Sequence, residues 1–502
     1  MGKYTIRLHP LGKILKVNNQ TPLIDVLHEY GVEFPCGGKG TCGKCKIKLL
    51  EGEINTNEVH QKKIKEMGLS DDFRLACLSK CTSNITINIE QFNHLILADE
   101  SEYNFVPQEG FGVAIDLGTT TVVAQLIDLA SAKVLAVETM LNPQVKFGAD
   151  LISRIQSCLD GRASEMSLII RESVGNLIEL MLKKHEVELH KVILVGNTVM
   201  QLIFSNCDVS PLSMYPFHSD DIGLKIYYPK ELGWNFPVLE KVQFLPCIGS
   251  FIGSDILAGI VATNLHQKEK YNALIDLGTN GEIVVGNKNQ IVCASTAAGP
   301  AFEGASIYMG MRAVTGAISS ITLTDMEIDC SVIGNTAPKG ICGSALIDAI
   351  AIFRKLELIG MFGEINSGET QIQIADKVYL TQKDIHEFQL AKAAIATGLK
   401  ILTAKLSIEI NDIEKIYIAG GFGNYITIEN VVSTGMLECE KGVIQKMGNT
   451  ALLGAKMLLF SKHEILDDIL RKIKHINLEG ESDFQDIYVE KMIFSNPNQG
   501  SA

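Results

Sequence analysis

No stretch of this chain stays apolar for the roughly 18–20 residues a membrane-spanning helix needs, and the opening MGKYTIRLHP lacks the apolar core of a secretory signal. A cytoplasmic protein is expected. Basic side chains are also in short supply: 45 Lys and Arg face 58 Asp and Glu, a formal net charge of −13, which speaks against nucleic acid or an anionic membrane as partner. Disulfides are not expected either, because twelve cysteines in an intracellular chain read as metal ligands and reduced thiols. Eight of them, Cys81, Cys158, Cys207, Cys247, Cys293, Cys330, Cys342 and Cys439, are scattered singly and read as buried structural thiols. The 502 residues exceed what one core can organise, so two or three domains follow.

What is present is unevenly distributed. Residues 1–92 carry 13 Lys and Arg against 10 Asp and Glu, a balance of +3 that leaves −16 on the remainder. This first segment alternates short β-branched strands (YTIRL, KILKV, KCKIKLL, NITINI) with one helix-like stretch, TPLIDVLHEYG, and reads as a compact α+β module. Residues 93–110 mix acidic, Pro and Gly residues without period and read as a linker. Beyond it, GVAIDLG, KVILVGN, NALIDLG and EKIYIAGG are buried-strand runs ending at or beside glycine, with helical patterns over 168–184 and 384–408 between them. Thr381 and Asp384 have capping-box spacing ahead of the second helix. The strings AIDLGTTTVVAQLID (114–128) and LIDLGTNGEIVVGNK (274–288) echo each other, which predicts a duplicated architecture with halves at 111–268 and 269–502.

Two constellations carry chemistry. Cys36, Cys42 and Cys45 lie in CGGKGTCGKC, spaced C-x5-C-x2-C, with Cys77 thirty-one residues further on. A glycine-rich loop lets three thiolates converge while backbone N–H groups face the charge of a two-iron cluster. Zinc is the competing reading, but zinc modules usually pair CxxC knuckles and the first spacing here is five. The second constellation is Asp116 with Gly118, Thr119, Thr120 and Thr121; Asp276 with Gly278, Thr279, Asn280, Gly281 and Glu282; and the glycine turn Gly420, Gly421, Phe422, Gly423. A carboxylate at a strand end beside hydroxyls and bare N–H groups suits Mg²⁺ and phosphate oxygens, whereas a single such turn could be an ordinary Asp- and Thr-capped bend.

The cysteine spacing closely resembles the [2Fe–2S] ferredoxins, whose RLxC segment brings the fourth ligand; that resemblance selects Cys77 over nearby Cys81. The two DLGT turns and the glycine turn resemble the phosphate-1, phosphate-2 and adenosine motifs of the superfamily of acetate and sugar kinases, heat-shock chaperones and actin. It implies ATP, with Asp116 and Asp276 on Mg²⁺ and its waters, Thr119 and Thr120 near the terminal phosphates, and Gly420–Gly423 against adenosine. Joined in this order, and with VGNTVM (195–200), SDILAG (254–259), GPAFEGASI (299–307), GICGSALID (340–348) and GNTALLGA (448–455), the chain resembles the reductive activators of corrinoid proteins. Longer members of that family insert a further domain where about 18 residues stand here.

The fold this implies is an α+β [2Fe–2S] ferredoxin domain of β-grasp type, followed by an α/β two-lobed actin-like (ASKHA) ATPase with duplicated βββαβα-type halves. The implied activity is ATP-dependent return of a Co(II) corrinoid protein to Co(I) within a methyltransferase system, fed by a low-potential electron donor. A homodimer is compatible with it. The competing readings are a small-molecule kinase with a redox-sensing ferredoxin, for which no substrate-side base stands out, and an activator of a radical dehydratase, which the complete four-cysteine set argues against. GPAFEGASI reads either as a wall of the site or as a tight turn with Glu303 at a helix start.

Overall fold

The computed structural model describes residues 3–9, 13–27, 32, 40, 45–56, 58–67, 69–70, 72–89, 105–278, 280–304, 306–313, 316–420, 425–461 and 464–495. The chain divides into two compact units, residues 1–93 with 107–253, and residues 94–106 with 254–502. Among the described residues no helix is long and apolar enough to cross a membrane.

Among the described residues the first unit contains two larger sheets and a two-stranded one that pairs Thr21–Pro22 with Lys80–Cys81. Strands β1 (Lys3–His9), β2 (Lys13–Asn18), β3 (Lys46–Glu51), β4 (Phe73–Leu75) and β5 (Ile85–Asn88) form one in the order β2-β1-β5-β3-β4. The pairing of β1 with β5 is parallel and that of β3 with β4 antiparallel. Alternation along β1 buries Ile6 and Leu8 against Leu23, Leu27, Ile47, Leu75 and Ile87. Helix α1 (Glu58–Glu66) accompanies this sheet. The helix expected from TPLIDVLHEYG is described only over Ile24–Leu27; residues 28–31 lie outside the described residues.

The other large sheet of this unit comprises β6 (Phe111–Leu117), β7 (Thr121–Asp128), β8 (Val134–Leu141), β9 (Leu189–Val195), β10 (Lys225–Tyr227) and β11 (Val242–Phe244), in the order β8-β7-β6-β9-β11-β10. The first three pair antiparallel, and β9 runs parallel to β6. Helices α2 (Leu151–Ser157), α3 (Ala163–His185) and α4 (Thr198–Ser205) follow. The periodicity predicted over 168–184 extends to Ala163–His185, and Glu186, at φ +52°, closes it in the left-handed region.

The second unit repeats that order. Helix α5 (Ser254–Ala262) precedes β12 (Asn272–Leu277), β13 (Gly281–Gly286) and β14 (Ile291–Thr296), which form antiparallel hairpins. Helices α6 (Gly343–Lys355) and α7 (Gln382–Lys405) lead to β15 (Lys415–Ala419), parallel to β12. Helix α8 (Ile428–Ser433) precedes β16 (Ile444–Gly448), parallel to β15. Helices α9 (Thr450–Leu458) and α10 (Phe484–Met492) flank β17 (Ile473–His475). The sheet runs β16-β15-β12-β13-β14-β17. Numbered within each half, and with the second sheet taken from β17, both sheets share the run third, second, first, fourth, the duplication that the echoed DLGT strings predict; they differ in where the fifth and sixth strands add. The capping box also forms: Thr381 Oγ1 accepts from the Asp384 N–H and Asp384 accepts from the Thr381 N–H. Helix α7 stops at Lys405, short of 408, and Ser407 sits at φ +56°.

The last described residues are stitched into this unit's core. Gln389 Nε2 donates to the Met492 carbonyl at 3.0 Å, Lys392 Nζ to that of Ile493 at 2.8 Å, and Arg354 to that of Ser495 at 3.3 Å. The Phe494 ring between them is 2 % exposed. Both Arg354 and Lys392 lie over it, at 5.6 and 5.5 Å from its centroid.

Candidate functional site

The cysteine site is built by strand register. Pairing of Lys46 with Leu75 sets Cys45, just ahead of β3, beside the short helical turn Ala76–Leu78, and the Ala76 N–H donates to the Cys45 carbonyl at 2.9 Å. The Sγ atoms of Cys45 and Cys77 come within 3.2 Å without a disulfide between them. Two thiols aimed at one point fit ligation of a common iron centre. Cys81 faces elsewhere: it is buried in the pairing of Thr21 with Cys81, its Sγ donates to the Ser83 carbonyl at 3.3 Å, and burial pushes its thiol up. The assignments of Cys36 and Cys42 lie outside the described residues. Gly40, described within that loop, has φ +71°, and a Cβ there would come within 2.7 Å of Leu78. Sequence reading missed His60, whose buried Nε2 accepts the Leu75 N–H at 2.9 Å, two residues before Cys77. Burial, then the charge of Arg74, holds its imidazole below its ordinary pKa, the state an accepting nitrogen needs.

Asp116 is the last residue but one of β6, in register with Val123 on β7 and Val195 on β9. Beyond it the turn of Gly118, Thr119 and Thr120 is held by its carbonyls. Asn142 Nδ2 donates to the Gly118 carbonyl at 2.9 Å, the Asn142 N–H donates to that of Thr120 at 2.8 Å, and Arg154 donates to that of Thr119. Arg154 is fully buried, and its guanidinium also donates to the Gly148 carbonyl at 2.9 Å and to Gln144 Oε1 at 3.2 Å. A buried cation is expensive to keep, and here it stiffens one turn. In a trans peptide the N–H points opposite to the carbonyl, so the N–H groups of Thr119 and Thr120 face away from these donors. Outward N–H groups beside hydroxyls make a concavity suited to anions. Thr121 begins β7.

In the second unit Asp276 pairs directly with Glu282 across the β12/β13 hairpin, and Glu282 pairs with Ser295 on β14. Directly opposed residues share a sheet face, so Asp276 and Glu282 stand side by side. Burial, then the negative charges of Asp255 and Asp276, push the Glu282 carboxyl well above the usual carboxylate range. Asp255, in the first turn of α5, was not singled out from sequence. A carboxyl raised by two neighbouring carboxylates marks a place that favours a cation. Gly278 and Asn280 belong to the turn, Gly281 begins β13, and Thr279 lies outside the described residues.

Strand β15 ends at Ala419, in register with Asp276. Gly420 follows at φ +100°, and a Cβ there would stand 2.4 Å from the Leu277 carbonyl oxygen and 2.9 Å from Asp276 Oδ1. The chain thus crosses the end of β12 where only glycine fits. Gly421, Phe422 and Gly423 lie outside the described residues. Just after them, Tyr425, Thr427, Glu429, Lys441 and Lys446 line a cavity of about 460 Å³, within the ~300–1,000 Å³ of small-ligand sites. Helix α8 beside it is tied back by Asn430, whose Nδ2 donates to buried Asp348 at 2.7 Å. In GPAFEGASI, Pro300–Glu303 form a short helical turn that buries Phe302 edge-on against Phe388, with centroids 6.0 Å apart.

Comparison with known proteins places these sites in context. A family model for the 2Fe-2S iron-sulfur cluster binding domain matches residues 6–82. One for the RACo middle region matches 111–268, and one for the C-terminal domain of RACo, the ASKHA domain, matches 270–501. The corrinoid activation enzyme RamQ of Eubacterium limosum is 36% identical in an alignment covering 96% of this chain and 98% of RamQ. The chain belongs to the corrinoid activation enzyme family. A second member, the [Co(II) methylated amine-specific corrinoid protein] reductase of Methanosarcina barkeri, is 26% identical over 74% of this chain and 73% of its own. The solved structure of a reductive activator for corrinoid, iron-sulfur protein superposes with a TM-score of 0.69 at 26% identity, covering 98% of both chains. The segment read from sequence as the first ATPase lobe is the one this family calls its middle region.

Proposed function

We propose that this chain is an ATP-dependent reductive activator that passes one electron to an inactive Co(II) corrinoid protein and regenerates Co(I). The observation that carries the proposal is the pairing, in one member of the corrinoid activation family, of convergent Cys45 and Cys77 thiols with two Asp-Leu-Gly turns on duplicated sheets. Cys36, Cys42, Cys45 and Cys77 hold a [2Fe–2S] cluster, which supplies a one-electron carrier at a potential near the roughly −400 mV of plant-type ferredoxins.

Asp116 and Asp276 anchor Mg²⁺ and its waters. Thr119 and Thr120 present N–H and hydroxyl donors to the terminal phosphates, and Gly420 lets the chain pass close to the nucleoside, for which the cavity beside Tyr425 offers room. ATP can drive an uphill electron only by binding two states of the activator with different affinity. Each ~59 mV of gap costs a factor of ten in a one-electron equilibrium. The partner is the corrinoid protein of a methyltransferase system, and the electron enters from a low-potential donor.

The test is anaerobic incubation of the cluster-loaded protein with a Co(II) corrinoid protein, MgATP and reductant, following Co(I) absorbance and phosphate release together. Co(I) formation that depends on ATP, with hydrolysis stimulated by the partner, supports the proposal. Phosphorylation of a sugar or carboxylic acid, without stimulation by any corrinoid protein, would replace it with the kinase reading.

A further inference from the structure

Asn197 faces two ways at the first phosphate turn. Its Oδ1 accepts the Met200 N–H at 3.0 Å and so caps helix α4, while its Nδ2 donates to Thr119 Oγ1 at 2.9 Å. A backbone N–H can only donate, so the amide cannot be turned round: oxygen must face the helix and NH₂ must face the threonine. A hydroxyl that accepts on one side keeps its own hydrogen for a different partner.

We propose that Asn197 is a positioning residue for nucleotide binding. By donating to Thr119 it turns the hydroxyl hydrogen away from the protein, beside the outward N–H groups of Thr119 and Thr120. The turn then presents donors alone, and a polyanionic phosphoryl group is the ligand chemistry it selects. The inference rests on the reading of Asp116–Thr121 as a phosphate turn.

Asn197→Ser separates the two duties, because serine caps a helix as well as asparagine does but brings no NH₂ to Thr119. Binding of Mg²⁺·AMP-PNP to the cluster-loaded full chain is measured by calorimetry beside the melting temperature. Asn197→Ser should melt with the natural protein and bind about 5-fold more weakly, the worth of one hydrogen bond of ~1 kcal/mol. Asn197→Ala should lose the same affinity and also melt lower. Thr119→Val should weaken binding at least as much, and adding Asn197→Ser to it should change nothing further. Unchanged affinity in Asn197→Ser, or losses that simply add in the double variant, would overturn the positioning role while leaving the phosphate turn intact. Natural affinity in Thr119→Val would strike the phosphate-turn reading itself, and the positioning role with it.

Discussion

Replacing Lys392 by Met exposes the cost of burying an ammonium group. The side chain is 1 % exposed, and its Nζ donates to the carbonyls of Ile493 and Gly435 at 2.8 and 3.5 Å. Burial dominates its environment and lowers its pKa from 10.5 to about 8, although Glu438 pulls the other way. Below pH 8 the amine is protonated in both folded and unfolded chains, and the native state bears the whole desolvation cost. Between pH 8 and 10.5 the folded protein sheds the proton while the unfolded chain keeps it, so stability rises with pH across that window and levels off above it. The ~2.5 pH units correspond to roughly 3 kcal/mol at ~1.36 kcal/mol each, of which about 2–3 kcal/mol is recovered between pH 7.5 and 10. Methionine does not titrate, so the stability of the natural protein relative to Lys392→Met should improve by that amount over the interval. At ~2–4 °C per kcal/mol the gap between melting temperatures should move by roughly 4–12 °C, readable by calorimetry at the two pH values. Melting temperatures of the two proteins that track in parallel from pH 7.5 to 10 would refute the reasoning.

Serine at Cys36, Cys42, Cys45 or Cys77 should abolish or cripple the [2Fe–2S] absorption spectrum, because the alkoxide is a harder and poorer iron ligand, while Cys81→Ser should spare it; the reverse pattern at Cys77 and Cys81 would overturn the ligand choice. Asp116→Ala or Asp276→Ala should collapse phosphate release with the cluster spectrum unchanged, and natural hydrolysis rates in both would sink the Mg²⁺ assignment. Gly420→Ala should cost ~1–3 kcal/mol from its positive φ alone, plus displacement of Leu277 and Asp276, so calorimetry should show a lowered melting temperature and an assay a fall in ATPase together; a natural melting profile would show that the turn tolerates a side chain.

Legibility in the sequence followed distance along the chain. The β6–β7 and β12–β13 hairpins are local, and their Asp-Leu-Gly-Thr strings announce both strand end and turn, so Asp116 and Asp276 could be placed before any coordinates. The capping box of Thr381 and Asp384 spans three residues and was legible for the same reason. Arg154 was not: within LISRIQS it reads as an ordinary helical arginine, and its meaning comes from Thr119, 35 residues away. Asn197 reaches Thr119 across 78 residues and His60 reaches Leu75 across 15, and neither distance belongs to a helical or strand period. Asp255 lies in the family-like string SDILAG, but its nearness to Glu282 shows only once the sheet sets Asp276 beside Glu282 and the helix brings the third carboxylate near.

The stitched segment around Phe494 also sets an order of events during synthesis. Lys392 lies 101 residues ahead of the carbonyl it grips and Arg354 lies 141 ahead of its own. At the ~5–20 residues per second of translation, these two acceptors follow the cations by on the order of 5–28 s, whereas Arg354 meets its nearer acceptor, the Ile359 carbonyl at 2.7 Å, almost at once. Until then each cation lacks one of its native carbonyl partners, so burying it costs more than it does in the finished chain.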